Sequence, residues 1–131
     1  MKTIKATDLR KEISATLEDF AGATQDVLER AVDVTAKDLV KDLKTTSPKD
    51  TGEYAKSWTQ KKTTSSKGLR YGRVAYVKSP NYRLTHLLEY GHALLNGGRV
   101  KPQPHIAPAS EKAAKQFEQR IVEGINKIKV Q

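Results

Sequence analysis

Three histidines and one glutamate are the side chains in this sequence best suited to chemistry. His86, Glu89 and His92 lie close together, and His105 follows in the next segment. Two imidazoles and a carboxylate can bind zinc or assist a hydrolysis. The spacing differs from that of zinc proteases, in which two histidines four residues apart flank the glutamate. We therefore expect hydrogen-bonded, partly buried histidines and assign no catalytic residue, metal ligand or cofactor; a small hydrolase built on these side chains is the least favoured hypothesis.

No other segment has the context of a catalytic group. The serines and threonines lack the glycine-flanked turn that exposes a nucleophile. Asn96-Gly97-Gly98-Arg99 lacks the Gly-Lys-Ser/Thr ending of a phosphate-binding loop and predicts a tight turn. Asp50-Thr51-Gly52 has the triplet of aspartic proteases, but those enzymes need two such carboxylates. The chain is not predicted to be an enzyme.

Composition limits the class of protein further. A chain of 131 residues predicts one domain, 1–131, and the absence of cysteine excludes disulfides and thiolate metal sites. No apolar run is long enough for a membrane span, and the N-terminus lacks the apolar stretch of a signal peptide. We expect a protein made in the host cytoplasm, with no membrane partner.

The positive charge is concentrated in the middle of the chain. The net charge is +9; residues 1–36 carry 5 basic and 7 acidic side chains, residues 37–83 carry 12 and 4, and residues 84–131 carry 7 and 4. A basic block can attract a phosphate backbone or an acidic protein surface, or can simply aid solubility. All three interpretations remain open from the sequence.

Hydrophobic periodicity predicts an α+β fold that begins with a long helix over residues 7–44. Its apolar stripe has spacings of four and three: Ile13, Leu17, Phe20, Thr24, Val27, Ala31, Val34. A 38-residue helix would be about 57 Å long, more than the width of such a domain. The helix therefore either breaks at Gly22 or extends to a neighbour.

The remaining elements are shorter. A β-hairpin is predicted over 54–79, with a first strand at 54–64, a turn at 65–68 and a second strand at 70–79. A short helix at 84–90 ends at Gly91, a loop follows at 91–107, and a C-terminal helix at 108–129 packs on the sheet. Such a long loop in a compact domain is usually functional or disordered.

Aromatic side chains suggest both core and interface roles. Trp58, the only tryptophan, predicts a core residue first and a subunit-interface anchor second. Tyr71, Tyr76 and Tyr82 lie among basic residues, a pattern that can stack nucleic-acid bases. No motif for reading a DNA sequence accompanies them.

Several short blocks together resemble a known family. They are Ser47-Pro48-Lys49-Asp50-Thr51-Gly52 with Ser57-Trp58, then Leu84-Thr85-His86-Leu87-Leu88-Glu89-Tyr90-Gly91-His92, Asn96-Gly97-Gly98-Arg99-Val100, and Pro104-His105-Ile106-Ala107-Pro108-Ala109. In this order the chain resembles the tail-component (tail completion) family of long-tailed bacteriophages, the gene-product-ten family of the HK-ninety-seven type. The resemblance spans roughly residue 39 to the C-terminus, and the N-terminal helix is generic.

The resemblance implies a virion structural protein of the neck, where head and tail join. It implies a ring of copies, such as a hexamer, around the DNA channel. The neighbours of this ring would be head-closure and tail-terminator proteins. Tail completion, head closure and a connector role are not separated by it. A basic nucleic-acid-binding module without sequence specificity is the alternative function.

Two sets of residues are candidates for these contacts. The basic hairpin supplies the DNA-channel candidates Lys61, Lys62, Lys67, Arg70, Arg73. The subunit-interface candidates are Trp58, Leu94, Leu95, Arg99, Val100.

Overall fold

One long helix organises the molecule. The computed structural model describes residues 6–49, 51–64 and 71–128, and in it helix α1 runs from Ala6 to Thr46 over 41 residues. At 1.5 Å per residue it is about 60 Å long. It continues through Gly22, where an added Cβ would have no neighbour within 4 Å. The helix therefore does not break at Gly22, and the predicted bounds of 7–44 were nearly those observed.

The segment before the hairpin corrects a prediction. Residues 54–57 were expected in the first strand, but Glu53–Lys56 form a short helix, α2. Tyr54 and Ala55 are adjacent and both buried, whereas neighbouring residues on a strand point to opposite faces. Gly52, with φ of 85°, turns the chain into this helix.

The hairpin itself is present but shorter than predicted. Strand β1, Trp58–Thr64, pairs antiparallel with β2, Tyr71–Val77. Trp58 lies opposite Val77, and Lys61 lies opposite Val74. The predicted turn at 65–68, and with it Lys67 and Arg70, lies outside the described residues.

Two helices and a small hairpin complete the chain. A 3₁₀ turn at Asn81–Leu84 leads into α3, Thr85–Tyr90, where the short helix was predicted. The predicted loop at 91–107 contains two strands, β3 (His92–Ala93) and β4 (Arg99–Val100). The last helix, α4, covers Ile106–Asn126 and so begins two residues before the predicted start at 108.

The core lies against the C-terminal half of α1. Its buried members are Leu43, Tyr54, Trp58, Val77, Ala109, with Leu39, Val40, Ala75, Leu88 and Ile106 packed around them. The α+β class is confirmed, and among the described residues no helix is long and apolar enough to cross a membrane.

Helix α4 runs antiparallel along α1. Near the start of α4, Lys112 lies 3.7 Å from Asp42; further along, Arg120 bonds Asp38, and at the far end Gly124 lies against Val27. The predicted apolar stripe of α4 (Ala113, Phe117, Ile121, Ile125, Ile128) is half-buried. Because α4 ends beside Val27, the part of α1 before it extends past the packed region.

Gly91 is required where α3 gives way to the small hairpin. Its φ of 73° with ψ of 178° is a region that is essentially restricted to glycine. A Cβ at this position would also lie 2.4 Å from the carbonyl oxygen of Val100. The predicted helix end at Gly91 is confirmed, and the extended ψ of this residue directs the chain into β3.

We expect Gly91→Ala to lower the free energy of unfolding by at least ~2 kcal/mol, because it adds backbone strain of ~1–3 kcal/mol and a steric clash. Chemical denaturation monitored by circular dichroism measures the change. The control is Gly22→Ala, in the exposed part of α1, which should raise stability by up to ~1 kcal/mol. Equal effects from both variants would contradict this account of Gly91.

Candidate functional site

The carboxylate of Glu89 binds the N-terminus of α4. Its Oε1 accepts hydrogen bonds from the backbone N–H groups of His105 and Ile106, both at 2.8 Å, and its Oε2 accepts one from Ala107 at 3.0 Å. Glu89 is 6% exposed. The first N–H groups of a helix have no partner within the helix, and a negative charge there is favoured by the helix dipole.

Pro108 completes this arrangement. It occupies the third position of α4, where a residue would have another unpaired N–H, and proline has none. The next amide, of Ala109, bonds back to the carbonyl oxygen of His105 at 3.4 Å. Every backbone donor in the first turn of α4 is therefore either bonded or absent.

His105 links this junction to the core. Its Nδ1 lies 2.8 Å from the carbonyl oxygen of Gln103 and 3.1 Å from Glu89 Oε1, so Nδ1 carries a proton. Its Nε2 lies 2.8 Å from the hydroxyl of Tyr54, with which it forms a hydrogen bond. The side chain of His105 is only 1% exposed, so both ring nitrogens have partners inside the protein.

The electrostatics of the junction favour a charged Glu89 and a neutral Tyr54. Burial alone would raise the pKa of Glu89, but the backbone hydrogen bonds from His105, Ile106 and Ala107 outweigh it and lower that pKa. Burial raises the pKa of Tyr54; a side-chain hydrogen bond with Thr85 opposes this, and the charge of Glu89 adds to it.

Blocks that are distant in sequence meet here. The indole Nε1 of Trp58 donates to Ser47 Oγ at 2.9 Å, and Trp58 packs edge-on against Tyr54 and His105. Ser57 Oγ accepts a bond from Asn81 at 2.7 Å. The core interpretation of Trp58 is the one the structure supports: at 4% exposed, its ring has almost no surface for a neighbouring subunit.

The histidine–glutamate group is only partly brought together. Glu89 and His105 are in contact, whereas His86 is exposed and His92 is half-buried. His92 Nδ1 is buried without a hydrogen-bond partner among the described residues. Within residues 6–49, 51–64 and 71–128, no three His, Asp or Glu side chains are grouped to hold a metal ion. The oxygens of Glu89 are already engaged by backbone N–H groups.

The basic residues of the β1–β2 hairpin occupy two faces. Arg73 Nε bonds Asp33 Oδ1 at 2.6 Å, and the Tyr71 hydroxyl donates to the same oxygen at 2.5 Å. These bonds, first from Tyr71 and then from Arg73, lower the pKa of Asp33. Lys62 lies over the Tyr71 ring at 5.3 Å. Arg73, a DNA-channel candidate, is thus paired with a carboxylate of α1 and is not a free cation. Asp33 was not identified from the sequence, because no sequence pattern pairs this residue with a strand 40 residues away.

On the opposite face, Lys61 lies over the Tyr76 ring at 5.2 Å. Lys61 is exposed, and Val74 and Tyr76 beside it are 42% and 37% exposed. This outer face of the hairpin, defined here as Lys61, Val74 and Tyr76, points away from α1. Of the five DNA-channel candidates, only Lys61 and Lys62 are described and free of an ion pair with a carboxylate.

The small hairpin presents the remaining interface candidates. Leu95 is fully exposed at its tip and Leu94 is 41% exposed. The turn is closed by a bond from Leu94 N–H to the Gly98 carbonyl at 2.7 Å, as the glycine pattern predicted. Arg99 donates to the Tyr90 carbonyl at 3.2 Å, and Val100 is half-buried.

The N-terminal part of α1 carries a surface whose exposure the periodicity alone did not reveal. Leu9, Ile13, Leu17 and Phe20 are 42–63% exposed, and we name these four residues the α1 stripe. They continue the face of α1 on which Val27 contacts α4. A groove of about 500 Å³ between the two helices, lined partly by Ala23, Val27 and Ile128, lies just beyond Phe20, the last residue of the stripe. The excessive length of the helix was the only sequence signal for this exposure.

We expect Glu89→Gln to destabilise the protein by ~2–3 kcal/mol, because an amide replaces a charged acceptor and turns a donor toward the N–H groups of α4. Thermal or denaturant unfolding measures this. The control is Glu111→Gln, a change of the same chemistry at an exposed position of α4, which should alter stability by at most ~0.5 kcal/mol. Similar values for the two variants would contradict the capping role.

The stabilising effect of Glu89 should depend on pH. Because its folded pKa lies below the unfolded value of about 4.3, its contribution is full above that value and is lost as pH falls through the folded pKa. The stability difference between the natural protein and Glu89→Gln should therefore be constant near neutral pH and shrink below about pH 4. Denaturant titrations at several pH values test this; a difference that grows on acidification would contradict it.

Comparison with known proteins identifies one family. Residues 11–91 match the model of the HK97-gp10-like family, described as "Bacteriophage HK97-gp10, putative tail-component". The match begins at residue 11, within α1, and ends at Gly91, before α4. It therefore covers the N-terminal helix, which was generic in the resemblance drawn from the sequence blocks. No curated protein and no solved structure matches the chain.

Proposed function

Since the chain belongs to the HK97-gp10-like family of bacteriophage tail components, we propose that it is a structural protein of the head–tail junction. In this proposal it binds copies of itself and neighbouring neck or tail proteins around the DNA channel. It acts in the virion and is made in the host cytoplasm. Its work is to hold surfaces together.

The α1 stripe is the observation that carries this proposal. Leu9, Ile13, Leu17 and Phe20 are exposed along about 16 Å of helix, and no described part of the chain covers them. Contiguous apolar surface on a soluble protein commonly marks a site for another protein. The exposed leucines at the tip of the small hairpin supply a second surface of this kind.

The motif blocks support a structural role as well. Ser47, Trp58, Tyr54, His105 and Glu89 bond to one another or to the backbone inside the core. Two of them, Glu89 and His105, belong to the group from which a hydrolase was considered. Their hydrogen bonds join β1 to the segment that follows α1, and join α2 and α3 to the start of α4. This frame can present the exposed surfaces in fixed positions.

Location of the chain in the particle tests the proposal directly. A tagged full-length chain, expressed during infection by the phage that encodes it, should be incorporated at the head–tail junction in cryo-electron microscopy of purified particles. Incorporation only at the distal end of the tail, or absence from finished particles, would overturn the junction assignment.

The basic hairpin is proposed to lie near the packaged DNA. We expect the double variant Lys62→Glu and Lys67→Glu to reduce DNA retention and infectious titre at least tenfold, because it reverses charge near the phosphate backbone. Arg73 is left intact because it pairs with Asp33. The control is Lys115→Glu on the exposed side of α4; equal titres for all three proteins would contradict the channel role.

The alternative is a nucleic-acid-binding module, favoured by the three cation–aromatic pairs at Lys61, Lys62 and Arg83. Such a module would bind plain duplex DNA as an isolated chain, and its affinity would fall steeply between about 50 and 200 mM salt. Fluorescence anisotropy with a labelled duplex measures this. Tight, salt-dependent binding by the free monomer would favour the alternative over the neck protein.

A further inference from the structure

We propose that the α1 stripe of one copy packs on the outer face of the β1–β2 hairpin of the next copy, in a head-to-tail contact. This inference rests on the proposed self-association and specifies the surfaces that make it. The stripe is Leu9, Ile13, Leu17 and Phe20; the outer face is Lys61, Val74 and Tyr76.

The two surfaces are each uncovered within their own chain. The hairpin uses its inner face for α1, where Tyr71 and Arg73 bond Asp33 and where Trp58 and Val77 enter the core. Alternate residues of a strand point to opposite sides, so Lys61, Val74 and Tyr76 face outward. The inner face is covered by α1 and the core, whereas no described residue covers the outer face, on which Val74 and Tyr76 are exposed.

Charge complementarity selects a second copy as the occupant. Residues 8–22 of α1 carry four acidic and two basic side chains, whereas residues 58–78 carry six basic and none acidic. At 100° per residue, Asp8, Glu12 and Asp19 form an acidic row along one side of the stripe, and Arg10 borders its other side. Lys11 and Glu18 lie on the opposite face of the helix. An apolar stripe with an acidic edge matches an apolar face that carries Lys61.

The dimensions agree as well. From Leu9 to Phe20 the stripe is about 16 Å long, and β1 extends about 14 Å from Thr59 to Thr63. A helix about 10 Å across covers two strands whose separation is about 4.8 Å. A helix can therefore lie along this hairpin and cover its outer face.

The contact must be heterologous, since the two surfaces differ. Each copy then offers a stripe to one neighbour and an outer face to another, which generates a closed ring or an open chain. In this arrangement Lys61 contacts protein, whereas Lys62, on the other face of β1, remains available to DNA. Lys61 and Lys62 are adjacent in the sequence but would therefore bind different partners.

Sedimentation velocity over a range of protein concentrations tests the contact. The natural chain should form concentration-dependent oligomers, and Leu17→Glu or Lys61→Glu should each raise the dissociation constant at least tenfold. Leu17 is 63% exposed and Lys61 is exposed, so neither change should alter the circular dichroism spectrum. The matched controls are Lys11→Glu, on the opposite side of α1, and Lys62→Glu, on the opposite side of β1; both should assemble like the natural chain.

Mixing the two defective chains distinguishes this contact from a symmetric one. A head-to-tail interface leaves one intact surface on each variant, so an equimolar mixture of Leu17→Glu and Lys61→Glu should form a dimer that neither variant forms alone. A mixture that stays monomeric would overturn the inference, and so would variants that assemble normally. Either result would still allow self-association through other surfaces. A natural chain that stays monomeric at every concentration would also overturn it, whereas incorporation into particles tests the proposed function separately.

Discussion

The carboxylate of Glu89 is held inside the protein by the N-terminus of α4, and the other parts of the core are arranged around that bond. It accepts three backbone N–H groups at 2.8–3.0 Å, and Pro108 removes the donor that would have been left over. The same three amides fix the position of His105, whose ring reaches Tyr54 and, edge-on, Trp58. A buried charge is costly without such partners, so the position of α4 relative to α3 depends on this geometry.

This junction explains why the residues that look most chemical have a structural role. An imidazole, a carboxylate and a phenol within hydrogen-bonding distance would suggest proton transfer in an open cleft. Here His105 is 2% exposed and Glu89 is 6% exposed, and each polar atom described for them bonds to a group of the protein itself. The hydrogen bonds of these side chains join α2 and α3 to the start of α4.

The surfaces themselves lie outside that frame. Half of α1 extends past the end of α4 with an apolar stripe, the hairpin exposes Lys61, Val74 and Tyr76, and the small hairpin exposes Leu95. Because the chain belongs to a family of phage tail components, these surfaces are candidates for contacts with other proteins of the particle. The acidic region lies on α1 and the basic region lies on the β1–β2 hairpin, so the acidic region of one copy can pair with the basic region of another.

Much of the organisation follows from local sequence patterns: the α+β class, the long helix, the hairpin, the short helix and the final helix were all predicted from periodicity, turns and caps. Those signals are local, because a helix face or a turn depends on neighbours a few residues away. Residues 54–57 were misassigned because alternation over four residues suits a strand, while Gly52 and the burial of Tyr54 with Ala55 favour a helical turn. Only the tertiary structure paired Glu89 with α4, Arg73 with Asp33 and Trp58 with Ser47, and only it left the first half of α1 bare, since these outcomes depend on contacts between residues far apart in the chain.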